Sequence, residues 1–274
     1  MSFIQPAIIY GTAWKKSDTE RLVQVALNHG FRAIDTACQP KHYHEAGVGA
    51  GIAASLDDTL VRADLYLQTK FTSLTGQDPN QVPYDPRVPL ADQVTQSLDA
   101  SLRNLQTTYV DCLILHSPLE NAQKTLVAWR AIESLVAGGA VRQLGISNCY
   151  DLEQLDLIYL AANIKPAVLQ NRFYAATGYD RELRAYCIER QISYQSFWTL
   201  TANLQILVHP AVAALAAKYQ RTPEQVLLRY VTQIGIVPLT GTRSPVHMQE
   251  DLRIFDFELD ATASATMDAF LVAA

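Results

Sequence analysis

Long apolar runs are missing from this chain. None approaches the ~20 residues a transmembrane helix needs, so no membrane partner is expected. Basic clusters are missing too. With 22 Lys and Arg against 27 Asp and Glu, the 274 residues carry a net charge of −5 at pH 7. No basic stretch interleaves with aromatics, which argues against nucleic acid as a partner. Cysteine is sparse: Cys38, Cys112, Cys149 and Cys187 have no CxxC and no paired spacing. That excludes a zinc ribbon or a disulfide framework and fits reduced thiols used for packing. The opening MSFIQPAIIYG lacks a basic region followed by an apolar stretch, so no secretory signal is read and a cytoplasmic location is expected. Linkers, internal repeats and low-complexity segments are absent as well. Residues 1–274 are therefore expected to form one domain.

What the chain does have is alternation. Short β-rich apolar runs begin near Pro6, Gly30, Arg62, Tyr109, Gly139, Pro166, Gln191 and Gly235, and amphipathic segments separate them. Ser17 with Glu20 reads as a capping box and Gly30 as a helix stop. Leucines at 98, 102 and 105 with Val94 give one helix its apolar stripe. Thr222-Pro223 with Gln225 opens another helix. Strands alternating with helices imply parallel βα units, and eight of them predict a (β/α)₈ TIM barrel. Two connections are long, Phe71–Val88 and Trp198–Pro210. Long loops after barrel strands belong to the catalytic face.

Barrel chemistry comes from polar side chains at the C-terminal ends of strands. Those ends supply Asp35 in AIDTA, Lys70 in LYLQTK, His116 in CLILHSP, Ser147-Asn148 in LGISN, Gln170 and Phe197, with Tyr43 in the loop after the second strand. A carbonyl that accepts hydride also needs a proton, and a phenol near pKa 10 is a reluctant donor. A neighbouring ammonium favours the phenolate, so Lys70, oriented by Asp35, is expected to lower the pKa of Tyr43. His116 suits polarisation of the carbonyl oxygen. Ser147, Asn148 and Gln170 suit a carboxamide, and Phe197 suits a flat ring.

The chain resembles the aldo-keto reductase family over nearly its whole length. The resemblance is carried by IIYGTAWKK, GFRAIDTACQPKHYHEAGVG, LYLQTKF, DCLILHSPL, RQLGISN, PAVLQN, SYQSFW and PLTGTRSPVHMQEDLRIFDF, in that order. It implies an Asp-Tyr-Lys-His tetrad of Asp35, Tyr43, Lys70 and His116, a small carbonyl substrate and no metal. It also implies NADPH, with NADH possible, bound without a Rossmann domain. Cofactor contacts are then expected from Ser147, Asn148, Gln170, Phe197, Trp198, Thr240, Gly241, Thr242, Arg243, Ser244, His247 and Asp251. The adenine-side phosphates would meet Thr240–Ser244 and the N-terminus of the helix opening at Ser244-Pro245. Trp14 and Phe71 would wall the substrate pocket beside Tyr43, Trp198 and the loop from Phe71 to Val88.

Departures from the family pattern accompany the match. The family's Tyr stands three residues before its Glu, where this chain has His42 before Glu45; Tyr43 is taken because a phenol is required. Gly241 and His247 stand where the family places basic residues for a 2′-phosphate, which leaves Arg243 as the fixed cation of that segment. Asp251 stands where the family has an Asn near the adenine.

Each residue alone also has a plain explanation: a capping Asp, a solvated Lys, a satisfied core His, packed aromatics. Two rival functions stand beside the reductase. One is a metal-dependent barrel hydrolase using His42 and His44; the other is a cofactor-binding regulatory module without turnover. A monomer or weak oligomer is expected.

Overall fold

The computed structural model describes residues 6–272. Each apolar run becomes a short strand and each amphipathic segment a helix packed outside it. In chain order these are β1 (Ile9–Gly11), α1 (Thr19–His29), β2 (Ala33–Asp35), α2 (Glu45–Ala53), β3 (Tyr66–Phe71) and α3 (Leu90–Leu105). Next come β4 (Val110–Leu115), α4 (Ala122–Ala137), β5 (Val141–Ser147), α5 (Leu152–Ala161), β6 (Val168–Arg172) and α6 (Arg181–Glu189). After β7 (Ser193–Phe197) the chain forms α7 (Leu204–Leu207), α8 (Pro210–Tyr219) and α9 (Pro223–Gln233), then β8 (Val237–Thr240), α10 (Pro245–Leu252) and α11 (Ala261–Val272). The strands close as β1-β2-β3-β4-β5-β6-β7-β8 with β8 back on β1, every pair parallel. This is the expected (β/α)₈ barrel. Among the described residues no helix is long and apolar enough to cross a membrane.

Side chains on a strand alternate between its two faces. One set fills the barrel lumen: Ile9, Ala33, Tyr66, Cys112, Ile114 and Val168 form a small core of their own. The other set packs against the helices in a much larger core that includes Leu67, Phe71, Leu113, Leu144, Leu169 and Trp129. Nearer the C-terminal ends of the strands, the lumen turns polar.

Local signals explain most boundaries. Gly30 ends α1 at φ 112°, a left-handed conformation that costs glycine nothing. Thr222 and Gln225 form the capping box of α9. Asn121, Asp151 and Ser244 cap α4, α5 and α10 by accepting backbone N–H bonds. At Ser17 the expectation fails. Lys16–Asp18 is a 3₁₀ turn, α1 starts after Asp18, and no side chain caps it. Helices α2 and α3 approach closely at Gly49 of α2, where an added Cβ would lie 2.2 Å from the Asn104 carbonyl oxygen of α3.

Candidate active site

At the C-terminal end of the barrel opens a cavity of about 760 Å³. Asp35, at the end of β2, is buried in it beside Lys70 of β3, whose Nζ lies 2.6 and 2.7 Å from the two carboxylate oxygens and 2.9 Å from the Thr36 carbonyl. Burial pulls the ammonium of Lys70 down from its ordinary pKa, and the Asp35 charge opposes that pull. Three glutamines complete the cluster. Gln68 and Gln170 each donate to Asp35 Oδ1, at 2.7 and 3.0 Å. Gln195 exchanges amide bonds with Gln68 at 2.8 and 3.0 Å and accepts from Gln170 at 2.9 Å. The amide nitrogen of Gln170 is thereby committed, while its carbonyl oxygen has no partner among the described residues.

Tyr43 and His116 face this pair. Lys70 Nζ lies 5.2 Å from the Tyr43 ring centre, and the Tyr43 and His116 rings stand edge to face at 6.1 Å. Both line the cavity, as does His42. The phenol is not acidified as expected. Burial first, then the Asp35 charge, pushes Tyr43 above the ordinary tyrosine pKa. The reason is that burial, which disfavours the phenolate, outweighs the nearby Lys70 ammonium, whose charge Asp35 partly offsets at less than 3 Å. His116 is driven the other way. Burial, with Lys70 and His42 nearby, lowers its pKa to about 3, so the ring is neutral. Its Nδ1 is 2.6 Å from the hydroxyl of Thr72, a partner the sequence reading missed.

Ser147, Asn148, Gln170 and Phe197 line the same cavity from β5, β6 and β7. Asn148, at φ 53°, spends its amide hydrogens on the His116 carbonyl (2.9 Å) and on Ser147 Oγ (3.2 Å). It braces the loop after β4, so a carboxamide would find Ser147 and the Gln170 oxygen instead. On the far side, Thr240, Gly241, Thr242 and Arg243 complete the wall with Trp14 and Trp198, which are 52% and 50% exposed. Trp14 stacks on His42 at 3.9 Å, and Trp198 sits over the Arg172 guanidinium at 4.2 Å.

Several expected contacts lie elsewhere. Phe71 is buried against Tyr84, outside the cavity: Lys70 points into the lumen, so the next residue must point at the helices. The loop from Phe71 to Val88 contributes no wall either, because Gln39, Gln77 and Tyr84 pin it to the backbone around Cys38, Thr72 and Gly76. Asp251 is buried under α10, accepting from the Thr240 hydroxyl at 2.5 Å, and burial raises its pKa to about 6. Ser244 and His247 lie beyond the lining, at the capped start of α10. Arg243 lines the cavity but is tied to Asp18 (2.9 Å) and to the Trp14 carbonyl (2.6 Å). Lys15, which the sequence reading passed over, is buried in the wall with its Nζ on the Gly241 carbonyl, and burial lowers its pKa to about 8. Among the described residues no group of three or more His, Cys, Asp or Glu is placed to hold a metal ion. The four cysteines are buried and free.

Residues 7–272 match the model of the aldo/keto reductase family. The chain belongs to that family. An aldo-keto reductase of Mycobacterium marinum is 33% identical over 266 residues, which cover 96% of this chain and 86% of the relative. A glyoxal reductase of Bacillus subtilis is 30% identical over 247 residues, 90% of this chain and 81% of the relative. Among solved structures, an aldo/keto reductase from Brucella melitensis superposes with TM-score 0.82 at 26% identity, covering 98% of this chain and 94% of the other. An aldo-keto reductase crystallised with NADPH does so with TM-score 0.79 at 26% identity, covering 97% and 84%. Aldo-keto reductases are oxidoreductases that use NAD(P)H, so this aldo-keto reductase is an enzyme of that class.

Proposed function

We propose that this aldo-keto reductase reduces aldehydes or ketones with NADPH, using Tyr43 as the proton donor. One observation carries the reading: a phenol, a neutral imidazole and a buried Asp35–Lys70 ion pair converge on one cavity. The donor set suits the cofactor. Ser147 and the free oxygen of Gln170 match a carboxamide, and Phe197 offers a ring face. Lys15 and Arg243, with the backbone of Gly241 and Thr242 between β8 and α10, match phosphates. When bound there, NADPH supplies hydride to the carbonyl carbon.

The chain's own groups handle the proton and the charge. With its pKa held above the ordinary value, Tyr43 stays protonated throughout the neutral range, so the donor form is always present. As negative charge develops on the carbonyl oxygen, the phenol gives up its proton, and the Lys70 ammonium stabilises the phenolate left behind. Asp35 keeps Lys70 charged for that moment. His116, neutral, donates one N–H to the same carbonyl oxygen and fixes its position.

The preference for NADPH over NADH is modest on this reading. Arg243 would reach a 2′-phosphate by exchanging its contact with Asp18, while its other terminal nitrogen keeps the Trp14 carbonyl. An exposed ion pair is worth about 0–1 kcal/mol. A charge-assisted hydrogen bond to phosphate is worth about 1.5–3 kcal/mol, so the exchange is favourable but not by much.

Tyr43→Phe tests the assignment. Turnover of simple aldehydes is expected to fall by about 10²–10⁴, the usual worth of a general acid. NADPH affinity, followed by protein fluorescence, is expected to stay. Near-normal turnover in this variant would move the role to another donor, with His42 the nearest candidate on the cavity wall.

A further inference from the structure

Four acidic or basic side chains line the cavity: Lys15, Asp35, Arg172 and Arg243. Three have partners. Lys15 is held by the Gly241 carbonyl, Asp35 by Lys70, and Arg243 by Asp18. Arg172 differs. Among the described residues its guanidinium forms no ion pair and no hydrogen bond, and its Nε is buried with no acceptor. It is instead stacked, with the Trp198 ring 4.2 Å away and the Tyr174 ring 5.2 Å away. Aromatic faces fix the guanidinium plane and leave its edge, the part that donates in parallel pairs, for an incoming group.

The place of Arg172 in the barrel says which ligand that group belongs to. Arg172 is the last residue of β6, two beyond Gln170, so both side chains rise from the lumen face, roughly 7 Å apart along the strand. The phosphate-side cations, Lys15 and Arg243, cluster at the ends of β1 and β8 with Gly241 and Thr242. Arg172 stands two strands from β8 and three from β1, above the carboxamide-side residues. We propose that Arg172 binds a carboxylate carried by the substrate, so that the enzyme favours carbonyl compounds bearing an acid group over their neutral analogues. This rests on the carbonyl-reductase reading. The carboxylate takes no part in the chemistry: hydride goes to the carbonyl carbon, the Tyr43 proton to its oxygen, and the acid leaves unchanged.

Benzoylformate and its methyl ester form a suitable pair, since they share the ketone and the ring and differ in the charge. With saturating NADPH, the ratio of kcat/KM for the acid to that for the ester is expected to fall by about tenfold to a hundredfold in Arg172→Met, the span of one charge-assisted contact. Arg172→Lys is expected to recover part of the ratio, because it restores the charge without the planar fork. An unchanged ratio in Arg172→Met would reduce Arg172 to a stacking partner of Trp198 and overturn the proposal. So would an intact ratio with an equally weakened NADPH dissociation constant, which would assign Arg172 to the cofactor phosphates. Binding is read separately by quenching of indole emission when benzoylformate is added to enzyme holding NADP⁺. If the wild type reduced no carbonyl at all, the functional reading would fall. Saturable quenching that is lost in Arg172→Met would still uphold the anion site, and its absence in the wild type would remove it.

Discussion

A neutral imidazole donates to a carbonyl only when its proton sits on the nitrogen that faces the substrate. In this enzyme the other nitrogen of His116 lies 2.6 Å from the Thr72 hydroxyl. A hydroxyl that donates to Nδ1 leaves the proton on Nε2, which on the proposed reading makes Thr72 a positioning residue for the carbonyl contact. Thr72→Val keeps the shape and removes the bond. It is expected to lower kcat/KM roughly threefold to tenfold, the worth of a neutral hydrogen bond, while the NADPH dissociation constant holds and Thr72→Ser restores the rate. Because burial holds His116 near pKa 3, its ionisation should leave no limb in the pH profile of kcat/KM between pH 5 and 8. A limb centred near 6.5, or a Thr72→Val variant that loses cofactor affinity, would contradict this role. Thr72 was invisible in the sequence because it lies past the end of β3, where alternation no longer says which way a side chain points. Within strands the same period-two rule is strict. It accounts for Asp35, Lys70, Ser147 and Gln170 standing where strand-end reasoning put them, and it is why Phe71 could not join Lys70 in the pocket. Followed two residues back along β3 and β7 and two residues on along β6, it would have found Gln68, Gln195 and Arg172. Lys15 carried no such signal, since it follows β1 in an irregular turn.

Helix α10 is fastened to β8 by a carboxylate that sits uneasily in its place. Asp251 is buried, accepts from Thr240, and has its pKa raised from 3.8 to about 6. A folded-state pKa above the unfolded value means that the native state holds the extra proton. That contribution to stability is complete below about pH 3.8 and is lost as the pH rises through 6. Asp251→Asn keeps an acceptor for Thr240 and has no charge to bury. It is therefore expected to raise the melting temperature by a few degrees at pH 8, on the order of 1–3 kcal/mol, and to change it little at pH 4. Equal shifts at both pH values, or a lower melting temperature at pH 8, would count against this account. Most elements were legible. β2, β5 and β7 begin and end where the apolar runs do, and Gly30, Asn121, Asp151, Thr222 and Ser244 mark helix ends by backbone chemistry. Ser17 failed as a cap because a capping box needs extended backbone at its first residue. The chain there is already turning in a 3₁₀ coil from Lys16 to Asp18.

Across the whole molecule, the cavity is roomy: two half-exposed indoles stand in its wall, and of the two long loops the one after β7 contributes through Thr199, Leu200 and Thr201. The loop from Phe71 to Val88 is pinned to the barrel side and takes no part in the wall. Bulky aromatic ketones and aldehydes are therefore expected to be reduced at rates comparable to small ones. A substrate panel in which activity is confined to one two- or three-carbon aldehyde would defeat that expectation. The polar floor of the cavity bears on how the barrel is assembled. Asp35 and Lys70 come from β2 and β3, Gln170 and Gln195 from β6 and β7, and Gln68 bridges the two groups. Neither the first four βα units nor the last four contain a full set of partners, so a half-barrel formed during synthesis would bury donors and acceptors with nothing opposite them. The early half is then expected to stay open and hydrated until the late strands arrive, so that closing the ring and completing the polar floor would be a single event.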